Sequence, residues 1–175
     1  DPNKSRFPVK EVVELLDDLR IMTYDFHSGA WGEKTTAHHA NPRKSSKGSF
    51  SVEEAADYYL SHGIPAEKLI VGGAFYSRGA GNVASSQIGS ACSGNSTDFQ
   101  FSEEMGVLPY WMLPAPGAVE HFDDEAKAGY SYDPVKKVFN SYDTVDSISE
   151  KCKIIKEKGL AGIILWESSG HGKIP

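Results

Sequence analysis

Apolar positions recur along the chain at two spacings. Over residues 52–62, Val52, Ala55, Ala56 and Tyr59 fall on one face at helical spacing. Ser51 precedes them and Glu54 stands three residues later, which predicts a capping box. Gly63 and Pro65 stop the run. Ser147 and Glu150 repeat that signature ahead of a stripe of Ile148, Cys152 and Ile155. The lysines around the stripe predict a solvated face, and Gly159 predicts the end of the helix. A third helix is expected over residues 9–19 from Val9, Val12, Val13 and Leu16. Three short apolar runs, residues 19–24, 69–75 and 161–166, predict buried strands instead. Such near-continuous apolar strands suit a sheet covered on both faces, so parallel pairing is expected. The order helix, strand, helix, strand, long segment, helix, strand points to an α/β fold built from βα units.

The long segment, residues 79–140, far exceeds an ordinary βα loop of about 2–6 residues. It holds short aromatic runs at residues 106–113 and 129–132, which predict a small inserted α+β subdomain. Its first part, residues 79–102, is rich in Gly and Ser and is expected to be flexible loop. The expected organisation is therefore residues 1–79, an insertion at 80–140, and residues 141–175.

Charge narrows the partners. The net charge is −6 with no basic stripe, which disfavours nucleic acid and acidic membranes and suits a neutral ligand. No run approaches the roughly 20 apolar residues of a membrane span. Residues 1–10 have no apolar core of the kind a signal peptide needs. Cys92 and Cys152 match no metal or redox spacing and are expected to be separate thiols, with a single disulfide as the alternative. Asn95-Ser96-Thr97 fits a glycosylation acceptor, a triplet that often arises by chance.

The chemistry gathers at strand ends. The first strand finishes in Met22-Thr23-Tyr24-Asp25, the second in Phe75-Tyr76-Ser77-Arg78 and the third in Trp166-Glu167. In (β/α)-barrels the active site lies at the C-terminal ends of the strands. A Trp there can stack on the apolar face of a sugar ring, while Asp, Arg and Tyr hydrogen-bond its polar groups. Each residue alone has a plainer role: Trp166 as a core aromatic, Asp25 as a turn residue, Arg78 as a solvated cation. Their convergence favours a site.

These residues also carry a resemblance. Met22-Thr23-Tyr24-Asp25-Phe26-His27 with Gly29 and Trp31 resembles the sixth strand and following loop of family-18 chitinases. Gly63-Ile64-Pro65-Ala66-Glu67-Lys68-Leu69-Ile70-Val71-Gly72 resembles the approach to their seventh strand, and Phe75-Tyr76-Ser77-Arg78 its ending. Asp124-Glu125-Ala126 with Tyr130-Ser131-Tyr132 resembles their insertion domain. Ser141-Tyr142-Asp143, Ser147-Ile148 and Lys151 resemble the segment leading into the last helix, and residues 159–166 the eighth strand. The likeness runs from residue 16 to residue 171.

The resemblance implies a partial TIM (β/α)8 barrel, strands six to eight, with an inserted α+β subdomain. It implies hydrolysis of chitin-type N-acetylglucosamine polymers by substrate-assisted retaining catalysis, in which the sugar's own acetamido oxygen attacks the anomeric carbon. It implies that Tyr24 holds the acetamido group, that Asp25 and Arg78 hold sugar hydroxyls, that Met22 and Tyr76 line the pocket and that Trp166 forms its floor. Trp31 and Tyr110 would be outer sugar contacts. No cofactor and no metal is implied, and the location would be extracellular or cell-surface.

Three departures stand out. The family's acid lies in an Asp-x-x-Asp-x-Asp-x-Glu motif on its fourth strand, and that motif is absent here. The chain thus resembles the C-terminal part of a barrel, expected to be inactive alone and to associate with another copy through open strand edges. Ser77 replaces a Gly beside the Arg, and Met112 stands where an acidic residue is usual. Glu167 is expected to be an ordinary polar contact and not the missing acid. A chitinase-like lectin, which binds without hydrolysis, is the alternative. Gly72-Gly73 and Gly79-Ala80-Gly81 lack the spacing of a nucleotide-binding loop, and His27, His38 and His39 lack that of a metal hydrolase.

Overall fold

The computed structural model describes residues 8–96 and 104–172. It contains two sheets. Strands β1 (Leu19–Arg20), β2 (Leu69–Ala74) and β7 (Gly162–Trp166) pair in parallel in the order β1-β2-β7. Strands β3 (Arg78–Ala80), β4 (Val119–Asp123), β5 (Ala128–Asp133) and β6 (Val138–Tyr142) form an antiparallel sheet in the order β3-β6-β5-β4. Helices α1 (Val9–Glu14), α2 (Val52–Ser61) and α3 (Val145–Lys158) complete the elements. Among the described residues no helix is long and apolar enough to cross a membrane.

β2 is the centre of the parallel sheet, and Leu69, Val71 and Ala74 are fully buried in it. Helix α2 covers that core with Val52 and Ala56, and α3 contributes Ile155. The α2 cap forms as the spacing predicts: the Ser51 Oγ accepts the Glu54 N–H and donates to its carboxylate. A second core, Ala80, Val83, Cys92, Tyr130, Tyr132 and Phe139, lies on the antiparallel sheet. Both cysteines are free thiols.

Local patterns fail at four places. First, α1 stops at Glu14 instead of running to residue 19. The Lys68 ammonium donates to the Val13 and Leu16 carbonyls at 3.0 and 2.6 Å, capping the chain where another turn would have satisfied them. Second, β1 holds two residues, not six. The chain tightens after Arg20, with Thr23 N–H donating to Ile21 O. The Thr23 hydroxyl then stands in for the ladder, donating to Gly72 O at 3.1 Å and accepting Gly72 N–H at 2.7 Å.

Third, α3 starts at Val145, because Thr144 is its N-cap and Ser147 closes the box from inside the first turn. Glu150 does not cap; it accepts from Arg43. Lys151, three residues after Ile148 and four before Ile155, shares the inward side of the helix and is completely buried, as is Ile154. Fourth, residues 79–96 are not flexible loop. Gly79 and Ala80 lie in β3, and Val83 and Cys92 are in the core. A Cβ on Gly79 would sit 2.5 Å from the Ser96 Cβ, and one on Gly81 2.2 Å from the Asn95 carbonyl, so these glycines permit close packing and not motion. The remainder of that expectation, residues 97–102, lies outside the described residues, as does Thr97 of the glycosylation triplet.

The loop between β1 and α2 shows no periodicity in sequence, yet it is well anchored. Arg43 reaches Glu53 of α2 and Glu150 and Glu157 of α3. Arg43 N–H also donates to Ala126 O, beside the antiparallel sheet. This loop brings His38 and His39 into the interior.

Candidate functional site

The carboxyl ends of the three parallel strands open into a cavity of about 370 Å³. Met22, Tyr24, Asp25, Tyr76, Arg78 and Trp166 all line it. Trp31 and Tyr110 are not among its lining residues. Trp31 is half-exposed in a short 3-10 turn, Gly29–Trp31, with the Arg78 guanidinium carbon 5.1 Å from its ring centroid. Tyr110 opens another such turn, Tyr110–Met112, and stacks near His171 and Phe75. Residues with no periodic signal join the lining, notably Glu104, Val107 and Pro109 from the segment ahead of β4.

Asp25 is the centre of the polar side. Its φ of 62° is left-handed, a conformation that Asp tolerates better than most residues. The turn aims its carboxylate across the sheet ends. Oδ1 accepts the Tyr76 hydroxyl at 2.6 Å and Arg78 Nε at 2.7 Å, and Oδ2 accepts the other Arg78 nitrogen at 2.8 Å. Such bidentate, charge-assisted pairing is strong and directional. Burial works to raise the Asp25 pKa, but the hydrogen bonds from Arg78 and Tyr76, with His39 close beside them, outweigh it and hold the carboxyl well below its usual range. Arg78 is nearly buried and also contacts Glu104. Tyr76 is pushed up by burial and by Asp25, so it remains a phenol donor. Tyr24 is raised for the same two reasons and packs edge-on to Tyr76. The two charges assigned to sugar hydroxyls are therefore first each other's partners, with Glu104 as a second carboxylate on Arg78, and the exposed indole of Trp166 lines the same cavity.

Gly72 has a steric role beside this cavity. A Cβ there would lie 2.7 Å from Tyr24 Cε1 and 2.9 Å from Cδ1. Gly72→Ala is expected to displace the Tyr24 ring and cost about 1–3 kcal/mol. Urea unfolding together with the near-ultraviolet tyrosine signal checks this; wild-type values for both would contradict it. Gly72 and Gly73 are thus strand residues, not a phosphate loop. Gly79 and Ala80 are in β3.

The three histidines diverge. His27 faces Thr35 O, His38 pairs with Asp123 at 3.0 Å, and His39 faces Asp25. Among the described residues no group of three or more His, Cys, Asp or Glu is placed to hold a metal ion. Glu167 lines the cavity and its carboxylate accepts the Ser169 hydroxyl.

Known proteins share this arrangement of elements. The family model described as "Glycosyl hydrolases family 18" matches residues 1–170. Endochitinase 1 of Metarhizium robertsii is 34% identical, over 99% of this chain and 40% of its own length. Chitinase A1 of Niallia circulans is 36% identical, over 91% of this chain and 25% of its own length. Among solved structures, chitinase ChiA74 from Bacillus thuringiensis superposes with a TM-score of 0.78 at 33% identity, covering 93% of this chain and 29% of that one. A family-18 chitinase from Cycas revoluta, solved in complex with (GlcNAc)3, gives 0.79 at 28% identity, covering 94% of this chain and 46% of that one. The chain spans about 40% or less of the length of these curated relatives. With the family model matching nearly all of its residues, and with relatives above 30% identity along almost its whole length, the chain belongs to the family 18 glycosyl hydrolases.

Proposed function

We propose that this chain supplies the sugar-gripping part of a site that hydrolyses β-1,4-linked N-acetylglucosamine polymers. The observation that carries this reading is the convergence of Tyr24, Asp25, Tyr76, Arg78 and Trp166 on one cavity. It is supported by the names of the relatives, which are chitinases, and by the chito-oligosaccharide in the Cycas complex. In this reading β1, β2 and β7 are the sixth, seventh and eighth strands of a TIM barrel. Residues 80–140 are an inserted subdomain between the barrel parts 1–79 and 141–175. The whole protein acts outside the cell or at its surface.

The reaction is substrate-assisted and retaining. The acetamido oxygen of the bound sugar attacks its own anomeric carbon as the glycosidic bond breaks. Tyr24 is a protonated phenol, kept so by burial and by Asp25, and it donates a hydrogen bond to the acetamido group. Asp25 is held ionised beside Arg78, and together the two hold sugar hydroxyls. Trp166 stacks on the sugar face, Met22 walls the cavity, and Trp31 and Tyr110 meet sugars farther out. The leaving oxygen takes its proton from a carboxylic acid outside these 175 residues, a step worth about 10²–10⁴-fold.

A second groove of about 680 Å³ runs along β1 and is lined by Ile21, Phe26, Phe50 and Tyr59 among others. Tyr24 and Asp25 border both openings. The chain alone is expected to bind triacetylchitotriose, to leave a fluorogenic chitobioside intact and to self-associate through this flank. Calorimetry, fluorimetry and light scattering of one preparation read all three. Absence of binding at millimolar sugar sinks the site reading. Turnover by the pure chain removes the claim that the acid lies elsewhere, and a monomer at every concentration removes the association.

A further inference from the structure

We propose that His39 is a positioning residue that holds the Asp25 carboxylate in its working orientation; this rests on the sugar-site reading above. His39 is fully buried. Its Nδ1 accepts the Asp25 N–H at 3.4 Å, and its carbonyl accepts the Phe26 N–H at 2.9 Å. Two successive amides of the left-handed Asp25 turn are thus held by one residue. The His39 N–H in turn donates to Ser141 Oγ at 3.1 Å. Ser141 on β6 is the register partner of Arg78 on β3, and Arg78 grips the Asp25 carboxylate. The contacts close a circuit, Asp25 to Arg78 to Ser141 to His39 and back to Asp25, which ties the turn after β1 to the antiparallel sheet. The His39 ring also packs on Tyr76, the other donor to Asp25, with centroids 5.2 Å apart.

The ring is costly where it lies. Its Nε2 is buried without a hydrogen-bond partner among the described residues. An apolar side chain of similar volume would fill the space and leave no polar atom unpaired. The geometry therefore favours a role at Nδ1 over simple packing. An accepting Nδ1 requires the neutral ring, and burial keeps it so by lowering its pKa, against the opposing pull of Asp25 and Asp143; Lys151 adds to the lowering.

The test compares His39→Leu, which fills the space without an acceptor, with His39→Asn, which returns a short acceptor. Residue-resolved amide exchange and calorimetry with triacetylchitotriose are the readouts. In His39→Leu, the Asp25 amide is expected to exchange about tenfold faster and the sugar to bind about tenfold more weakly, while the β2 amides stay as protected as before. His39→Asn is expected to recover most of both losses. Wild-type exchange and affinity in His39→Leu would overturn the proposal. So would equal loss of protection throughout β2 in both variants, which marks packing alone. If the unaltered chain binds no triacetylchitotriose, the sugar-site reading falls, and the exchange measurement still decides whether His39 holds Asp25.

Discussion

Lys151→Ala is expected to cost about 3–5 kcal/mol of folding stability, the largest effect of any single substitution considered for this chain. The Lys151 side chain is completely buried, and its ammonium lies 2.6 Å from the Asp143 carboxylate and 3.2 Å from Gly72 O. Asp143 also accepts the Ala74 N–H at 2.9 Å and the Ser147 hydroxyl at 3.0 Å. The pair therefore ties α3, the end of β6 and the centre of β2 together. Burial lowers the Lys151 pKa and Asp143 opposes it, so the ammonium depends on that carboxylate. Removing the lysine leaves a buried carboxylate with its cation gone, together with a cavity. Urea unfolding measures the loss, with Lys153→Ala as the control. Lys153 is largely exposed and pairs with Glu150 on the surface, so about 0–1 kcal/mol is expected there. Similar midpoints for the two variants would show that the buried pair contributes no more than a surface one.

Asp25→Asn is expected to weaken triacetylchitotriose binding by about a hundredfold and to cost about 1.5–3 kcal/mol, the range for hydrogen bonds to a charged group. The substitution keeps the shape but discharges the acceptor of Tyr76 and Arg78. It leaves the nearly buried guanidinium with Glu104 as its remaining carboxylate in the cavity. The pH dependence follows from the sign of the shift. Asp25 has a folded-state pKa below its unfolded value, so its stabilisation is fully present above that unfolded value, about 4, and is lost as the pH falls through the folded one. The stability gap between the wild type and Asp25→Asn should thus stay level from neutral pH down to about 5 and narrow only in stronger acid. Unfolding curves across that range check this. A gap that closes near pH 6, or binding that survives the substitution, would remove Asp25 from the centre of the site.

Much of the scaffold is written in local sequence. Helix α2 follows from Ser51, Glu54 and a single apolar stripe, all within about three turns of chain. The parallel strands follow from apolar runs too short for helices and too continuous for a one-faced sheet. The residues after the apolar runs are readable in part: Tyr24, Asp25 and Tyr76 lie beyond β1 and β2 and Trp166 closes β7, whereas Arg78, expected to end the second strand, is the first residue of β3 in the antiparallel sheet. These signals are legible because capping, periodicity and termination act between neighbours in the chain.

Contacts between distant residues decided the rest. Asp25 and Arg78 are 53 residues apart, and their side-chain types alone suit sugar hydroxyls as well as each other; only the sheet end brings them to 2.7 Å. His39 and Glu104 come from irregular segments with no period to mark them. Gly79 and Gly81 suggest a flexible loop until Ser96 and Asn95 are packed against them. Helical spacing sets Lys151 beside Ile148 and Ile155, and the Asp143 carboxylate with Gly72 O makes the burial of its ammonium tolerable. A residue's partners across the fold set its desolvation, its charge state and its freedom to move. Those quantities turn a strand end that suits a sugar into a particular arrangement of donors and acceptors.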